Sequence, residues 1–143
     1  MEHFDRLLKM YELAPIHNFY GGIHMELSPG KARITLPIDQ RYFHAAMSAH
    51  GSVYFKLLDD AAYFAAQTEV KDLFIVTTSF TINLLRPITQ GIIRAEGELE
   101  FGSKQMFSAH SKLYDEKDRL VGTGTGQFLK SALPIIEVDG YKK

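Results

Sequence analysis

Asp59 is the residue whose type and place most call for a chemical explanation. It falls in a run, residues 53–66, whose only other charged members are Lys56 and Asp60. Its helical neighbours at i−4, i+3 and i+7 are Phe55, Ala62 and Ala66. A carboxylate withdrawn from water on such a face needs hydrogen bonds, a cation or a raised pKa. The same conditions make a carboxylate a nucleophile or a general base. Asp60 has Lys56 four residues before it and can be structural; Asp59 has no such partner, although a merely structural or exposed carboxylate is the competing reading. His50-Gly51 immediately precedes this run, where the first turn of a helix carries amides without intrahelical acceptors. Glycine admits a ligand oxygen to them, so the Gly51 and Ser52 amides form a candidate oxyanion hole or anion seat, and Ser52 can also cap the helix. His50 could orient this loop through one ring nitrogen and present the other.

Weaker candidates flank these. Tyr42, His44 and Met47 lie in the preceding segment. Thr77, Ser79, Thr81 and Asn83 alternate along a threonine-rich run, where hydroxyls can border a ligand or be ordinary strand residues. Arg86, beside Pro87, could meet a phosphate or simply be solvated. The histidines show no compact pair with a nearby glutamate, so no metal site is expected. Gly-x-Ser-x-Gly and P-loop signatures are absent, and Gly122-Thr-Gly-Thr-Gly126 lacks the lysine and helix of a phosphate loop.

The elements that must position these residues follow from periodicity. Residues 4–13 place Leu7, Leu8, Met10 and Tyr11 at helical spacing and predict a short lid or edge helix ending before Pro15. Residues 23–27 and 32–38 alternate as a hairpin around Ser28-Pro29-Gly30, and residues 39–49 form a loop. Gly51–Gln67 is apolar on nearly every side, which places a helix inside something. Period-two patterns then predict strands at 74–85, 92–101, 105–114 and 120–129, with residues 130–143 as a short, loosely held tail. Glu96, Glu98 and Glu100 oppose Ala95, Gly97, Leu99 and Phe101, the mark of a sheet with one wet side. Gly122, Gly124 and Gly126 share a face and allow close approach. The economical arrangement is an α+β fold: a curved antiparallel β-sheet wrapped around a central buried α-helix, in one domain over residues 1–143.

Composition bounds the function classes. The 143 residues, 45% of them hydrophobic, suffice for one sizeable core. With no cysteine, disulfide scaffolds, thiolate metal sites and cysteine nucleophiles are excluded. Sixteen basic and seventeen acidic residues give no global attraction to nucleic acid. No run approaches a membrane span and no signal-like segment opens the chain, so a cytoplasmic protein with no membrane partner is expected.

His50-Gly51-Ser52, the apolar helix with Asp59 and the strand ending in Asn83-x-x-Arg86-Pro87 together resemble the PaaI-like hotdog-fold acyl-CoA thioesterases, over residues 32–129. The resemblance implies hydrolysis of an acyl-CoA thioester to free acid and CoA. Asp59 would act as nucleophile or general base, His50-Gly51 would open the central helix, and Thr77 would help hold the attacking water. Gly51 and Ser52 would supply the oxyanion hole, with Ser52 standing at the family's second glycine and His44 at a frequent asparagine. His44, Ser52, Phe43, Tyr63, Asn83 and Arg86 are the candidate substrate-binding residues, the aromatic ones consistent with medium-chain or aryl acyl groups or with packing. No cofactor is implied beyond the CoA of the substrate. The family builds its sites across a homodimer and commonly pairs dimers into a homotetramer. A non-catalytic acyl-CoA binding or sensing protein is the alternative; a hotdog hydratase would want a different pairing of aspartate and histidine.

Overall fold

The computed structural model describes residues 2–142. In chain order it contains α1 (Glu2–Leu13), a 3-10 turn (Pro15–Asn18), β1 (His24–Ser28), β2 (Lys31–Pro37), a second 3-10 turn (Gln40–Tyr42) and α2 (Gly51–Gln67). Strands β3 (Leu73–Leu84), β4 (Ile92–Gly102), β5 (Met106–Tyr114) and β6 (Leu120–Pro134) and a last 3-10 turn (Ile135–Glu137) follow. The strands form one antiparallel curved sheet in the order β1-β2-β4-β5-β6-β3, the α+β hotdog arrangement. Both β1 and β3 are edges of this single-chain sheet. No helix among the described residues is long and apolar enough to cross a membrane.

Small residues decide where α2 lies. The strand register aligns Ala32 with Gly97, Gly97 with Ser111 and Ser111 with Gly124, a row running across four strands. A Cβ on Gly97 would collide with the Ala61 carbonyl of α2, so only glycine lets the helix sink this far into the sheet. Ser111 Oγ donates to the Leu58 carbonyl at 2.8 Å and fastens the contact. Leu57, Leu58, Ala61, Ala62, Ala65 and Ala66 are fully buried there. Each leucine contributes roughly 1.5–3 kcal/mol through removal of its side chain from water.

Three local expectations are corrected. The tail is not loosely held: β6 continues to Pro134, Ile135 and Tyr141 are buried, and Tyr141 Oη meets His3 Nδ1 at 2.7 Å. The helix α1 is part of the core through Leu7, Met10 and Tyr11, rather than a peripheral lid. Phe101 leaves the inner face and is 56% exposed, because a register shift between Leu99 and Phe101 flips the alternation. The loop over 39–49 also contains a 3-10 turn capped by Asp39 and is closed by an antiparallel bridge between Phe43 and Ala49.

Candidate active site

Asp59 points from the middle of α2 toward β3, where irregular register between Thr77 and Ser79 marks the strand. Thr77 Oγ1 donates to Asp59 Oδ1 at 3.0 Å. Burial, followed by the charge of neighbouring Asp60, pushes the Asp59 carboxyl up to about 6, against the opposing pull of the Thr77 hydroxyl and Lys56. Asp60 differs completely. Its Oδ2 takes a 2.6 Å ion pair from Lys56 Nζ and a 2.7 Å hydrogen bond from Tyr11 Oη. One aspartate is consumed by structure, while its neighbour keeps a single uncharged donor and stays close to the pKa of a working base.

Asp59, Thr77 and Tyr63 line a mostly apolar cavity of about 630 Å³. Met10, Phe64, Phe74 and Val138 supply apolar walls, and the 3-10 strap Pro15–Asn18 closes one side. The Tyr63 hydroxyl donates to the Ile75 carbonyl at 2.8 Å, so its ring faces the cavity while its polar atom is satisfied. The strap is tied down by a chain of contacts. His17 Nδ1–H donates to the Tyr11 carbonyl at 2.6 Å, which leaves Nε2 to accept from Lys56 Nζ at 2.8 Å. Burial and the Lys56 charge both hold the His17 pKa below its usual value, consistent with that neutral tautomer.

At the N-terminal end of α2, His50 is the cap. Its Nδ1 accepts from Ser52 N–H at 3.0 Å and lies 2.9 Å from Ser52 Oγ, so the neutral ring carries its proton on Nε2. Val53 N–H donates to the His50 carbonyl, and His50 N–H to the Tyr42 carbonyl. This corrects one expectation. The Ser52 amide is occupied by the cap and is not an open oxyanion donor, leaving Gly51 N–H as the turn's amide without an acceptor among the described residues. Gly51 borders a second cleft of about 290 Å³ with His44, Ser48, Tyr54 and Arg86. His44 Nδ1 accepts from Ala46 N–H, so its Nε2–H donates to Ser48 Oγ at 3.0 Å and cannot deprotonate that serine. Arg86 is exposed, and its carbonyl accepts from Tyr54 Oη.

The structure therefore gathers the sequence candidates into two groups. Asp59, Thr77 and Tyr63 meet in one cavity; His44, Gly51 and Arg86 meet in the other, while His50 and Ser52, either side of Gly51 in the chain, form the helix cap and line neither. Phe43, engaged in its bridge to Ala49, and Asn83, whose Nδ2 donates to Thr123 Oγ1 at 3.1 Å, line neither. Eight residues of α-helix separate Gly51 from Asp59, roughly 12 Å of rise. No group of three or more potential metal ligands occurs among the described residues.

A family model described as "Thioesterase superfamily" matches residues 48–122, more than half of the chain, and that span holds α2, Asp59 and Thr77. The chain belongs to the thioesterase superfamily. A Saccharolobus solfataricus protein named as an esterase is 26% identical over 125 residues, covering 87% of this chain and 81% of that protein. Among solved structures, the E. coli PaaI protein from the phenylacetic acid degradation operon superposes with a TM-score of 0.84 at 21% identity, over 93% of this chain and 96% of its own. A mutant of the phenylacetic acid degradation protein PaaI from Thermus thermophilus gives 0.74 at 22% identity, over 82% and 100%. These superpositions show the hotdog fold shared by PaaI proteins and this superfamily member.

Sequence reasoning paired Lys56 with Asp60 but missed His17 and the strap. The available signal was Lys56 itself, a lone cation on an apolar helix, which needs partners beyond its own helix when a neighbouring element covers it. Nothing in the spacing of His17 indicated which helix the strap would meet.

Proposed function

We propose that the chain hydrolyses acyl-CoA thioesters, with Asp59 as the carboxylate that drives the reaction. Membership of the thioesterase superfamily supports a hydrolase of thioester or ester type. The observation that carries the finer reading is Asp59 at the floor of an apolar cavity, oriented by Thr77 and titrating near neutrality. Acting as general base, Asp59 removes a proton from water as its oxygen adds to the thioester carbon, and Thr77 helps hold carboxylate and water in line. The carbonyl oxygen gains the negative charge, and Gly51 N–H, at the positive end of α2, donates to it. Collapse of the tetrahedral intermediate breaks the C–S bond, and the proton returns to the departing thiolate. As nucleophile, Asp59 would instead form a mixed anhydride that water cleaves.

The helical separation of Gly51 and Asp59 supports a site shared between two copies, one supplying the amide and the other the carboxylate. The free edge of β3, a strand of 12 residues, is the natural seam for a homodimer. A dimer of dimers, a CoA phosphate near Arg86 and the cytoplasm as the compartment complete the reading. The capped Ser52 amide favours the second reading, an acyl-CoA binding protein without turnover, since one oxyanion donor has been withdrawn. Free-thiol release over a panel of acyl-CoAs, comparing the parent with Asp59→Asn, separates the two. Release that falls about a thousandfold in a folded variant supports hydrolysis at Asp59. Binding without release in both proteins establishes the second reading.

A further inference from the structure

The walls of the Asp59 cavity come from two sources. The floor, α2 and β3, lies within residues 48–122, while Met10 to His17 and Val138 to Asp139 come from the two ends of the chain, outside the family match. These end segments are firmly attached. Tyr11 Oη is bonded to Asp60 and His17 to Lys56, Gly140 packs against the Met10 backbone, and Tyr11 and Phe64 meet edge to face at 5.0 Å. Yet Leu13 and Ile16, on the cavity rim, remain 52% and 53% exposed, apolar surface held beside the reactive carboxylate.

We infer that this strap and tail form the acyl-selecting wall of the site, and that it accepts an uncharged, apolar acyl chain of about six to eight carbons. The inference rests on the thioesterase reading of Asp59. Among the described residues that line the cavity, none offers a free cation to a charged acyl end: Lys56 is committed to Asp60 and His17, and Asp139, at the mouth, is an acid paired with Lys142 at 3.2 Å. On α2 the lining runs from Lys56 to Phe64, and the part beyond the reactive carboxylate, Asp59 to Phe64, covers five residues or roughly 7.5 Å of helix. An extended chain advances roughly 1.2 Å per bond, so six bonds span this floor to Phe64, which the Tyr11 ring meets edge to face, with Met10 and Val138 adding apolar wall. Ile16 and Leu13 then cover the chain from the solvent side.

The chain contains no tryptophan, which makes Ile16→Trp both an obstruction and a unique fluorophore. In the parent, kcat/KM for thiol release is expected to rise about fourfold per methylene (about 0.8 kcal/mol) from butyryl- to octanoyl-CoA and to level off beyond. Ile16→Trp is expected to lower the octanoyl-to-butyryl ratio at least tenfold, Ile16→Ala to lower it a few-fold, and octanoyl-CoA to change the tryptophan emission more than acetyl-CoA does. Turnover independent of chain length, or unchanged selectivity in both variants, overturns the wall while leaving hydrolysis intact. Chain-length-dependent emission without thiol release keeps the wall and removes hydrolysis. A change in oligomeric mass with unchanged selectivity assigns Leu13 and Ile16 to a second copy and overturns the inference.

Discussion

At its N-terminus α2 presents a backbone amide, Gly51 N–H, framed by contacts within a few residues; eight positions later it presents the carboxylate of Asp59, held by a side chain from β3. The first group depends on local chain geometry. His50 caps the turn, draws away the Ser52 amide and leaves one donor aimed outward. The second depends on tertiary structure, because Thr77 and the cavity walls arrive from elsewhere in the chain. The contrast extends to Asp59 and Asp60: one residue apart, they have opposite fates because the helix turns Asp60 toward Tyr11 and Lys56. A carboxylate kept in an apolar cavity without an ion-pair partner of its own costs stability, and function is the usual reason such a cost persists.

The contrast can be broken at either end. Gly51→Pro removes the one open amide while retaining a helix start, since proline suits the first helical position and His50 already has extended backbone. A Cβ at this position meets only ordinary contact with Leu84. The kcat is expected to fall about a hundredfold or more with the circular dichroism spectrum unchanged. At the other end, Thr77→Val removes the bond that favours the Asp59 carboxylate. A base must be ionised, so parent activity should fall as pH drops through about 6. The variant's acid limb should move to higher pH, with a loss of about tenfold on the plateau; an unmoved limb would separate Thr77 from the chemistry.

Asp59→Asn carries a stability prediction of the opposite sign to its activity. Folding raises the Asp59 pKa, so the native state binds its proton more tightly, and stability declines as pH rises from the unfolded value to about 6. Replacing the charge should stabilise the protein at pH 7–8 by roughly 1–3 kcal/mol, and the gain should vanish below about pH 4; urea titrations at the two pH values measure it. The smallest expected effect belongs to His50. His50→Ala should cost about 1 kcal/mol as a lost cap, and His50→Asn should restore it. Activity that follows the melting temperature in both variants makes His50 a positioning residue; a large activity loss at unchanged stability would make it catalytic.

Much of this contrast was legible before the fold was known, for identifiable reasons. A helix apolar on nearly all sides has one place to go, and glycines at 122, 124 and 126 marked a face that admits close packing, whereas the close approach at Gly97 emerged only with the fold. Asp59 stood out because an unpartnered charge conflicts with that same burial. Other features required long-range contacts that periodicity does not carry. His17 meets Lys56 across 39 positions, the tail is ordered by Tyr141 returning to His3, and one bulge sends Phe101 outward against its pattern. The occupation of the Ser52 amide depends on a single histidine rotamer and tautomer, which no spacing reveals.

If the two ends of α2 are halves of one centre that meet across two copies, two inactive variants should repair each other. Asp59→Asn and Gly51→Pro are mixed in equal amounts, unfolded and refolded together, and thiol release from octanoyl-CoA is measured. Random pairing makes half of the dimers mixed, each with one site carrying both an intact Asp59 and an intact Gly51. Recovery of about a quarter of parental activity is expected. A refolded mixture no more active than its separately refolded components would contradict it.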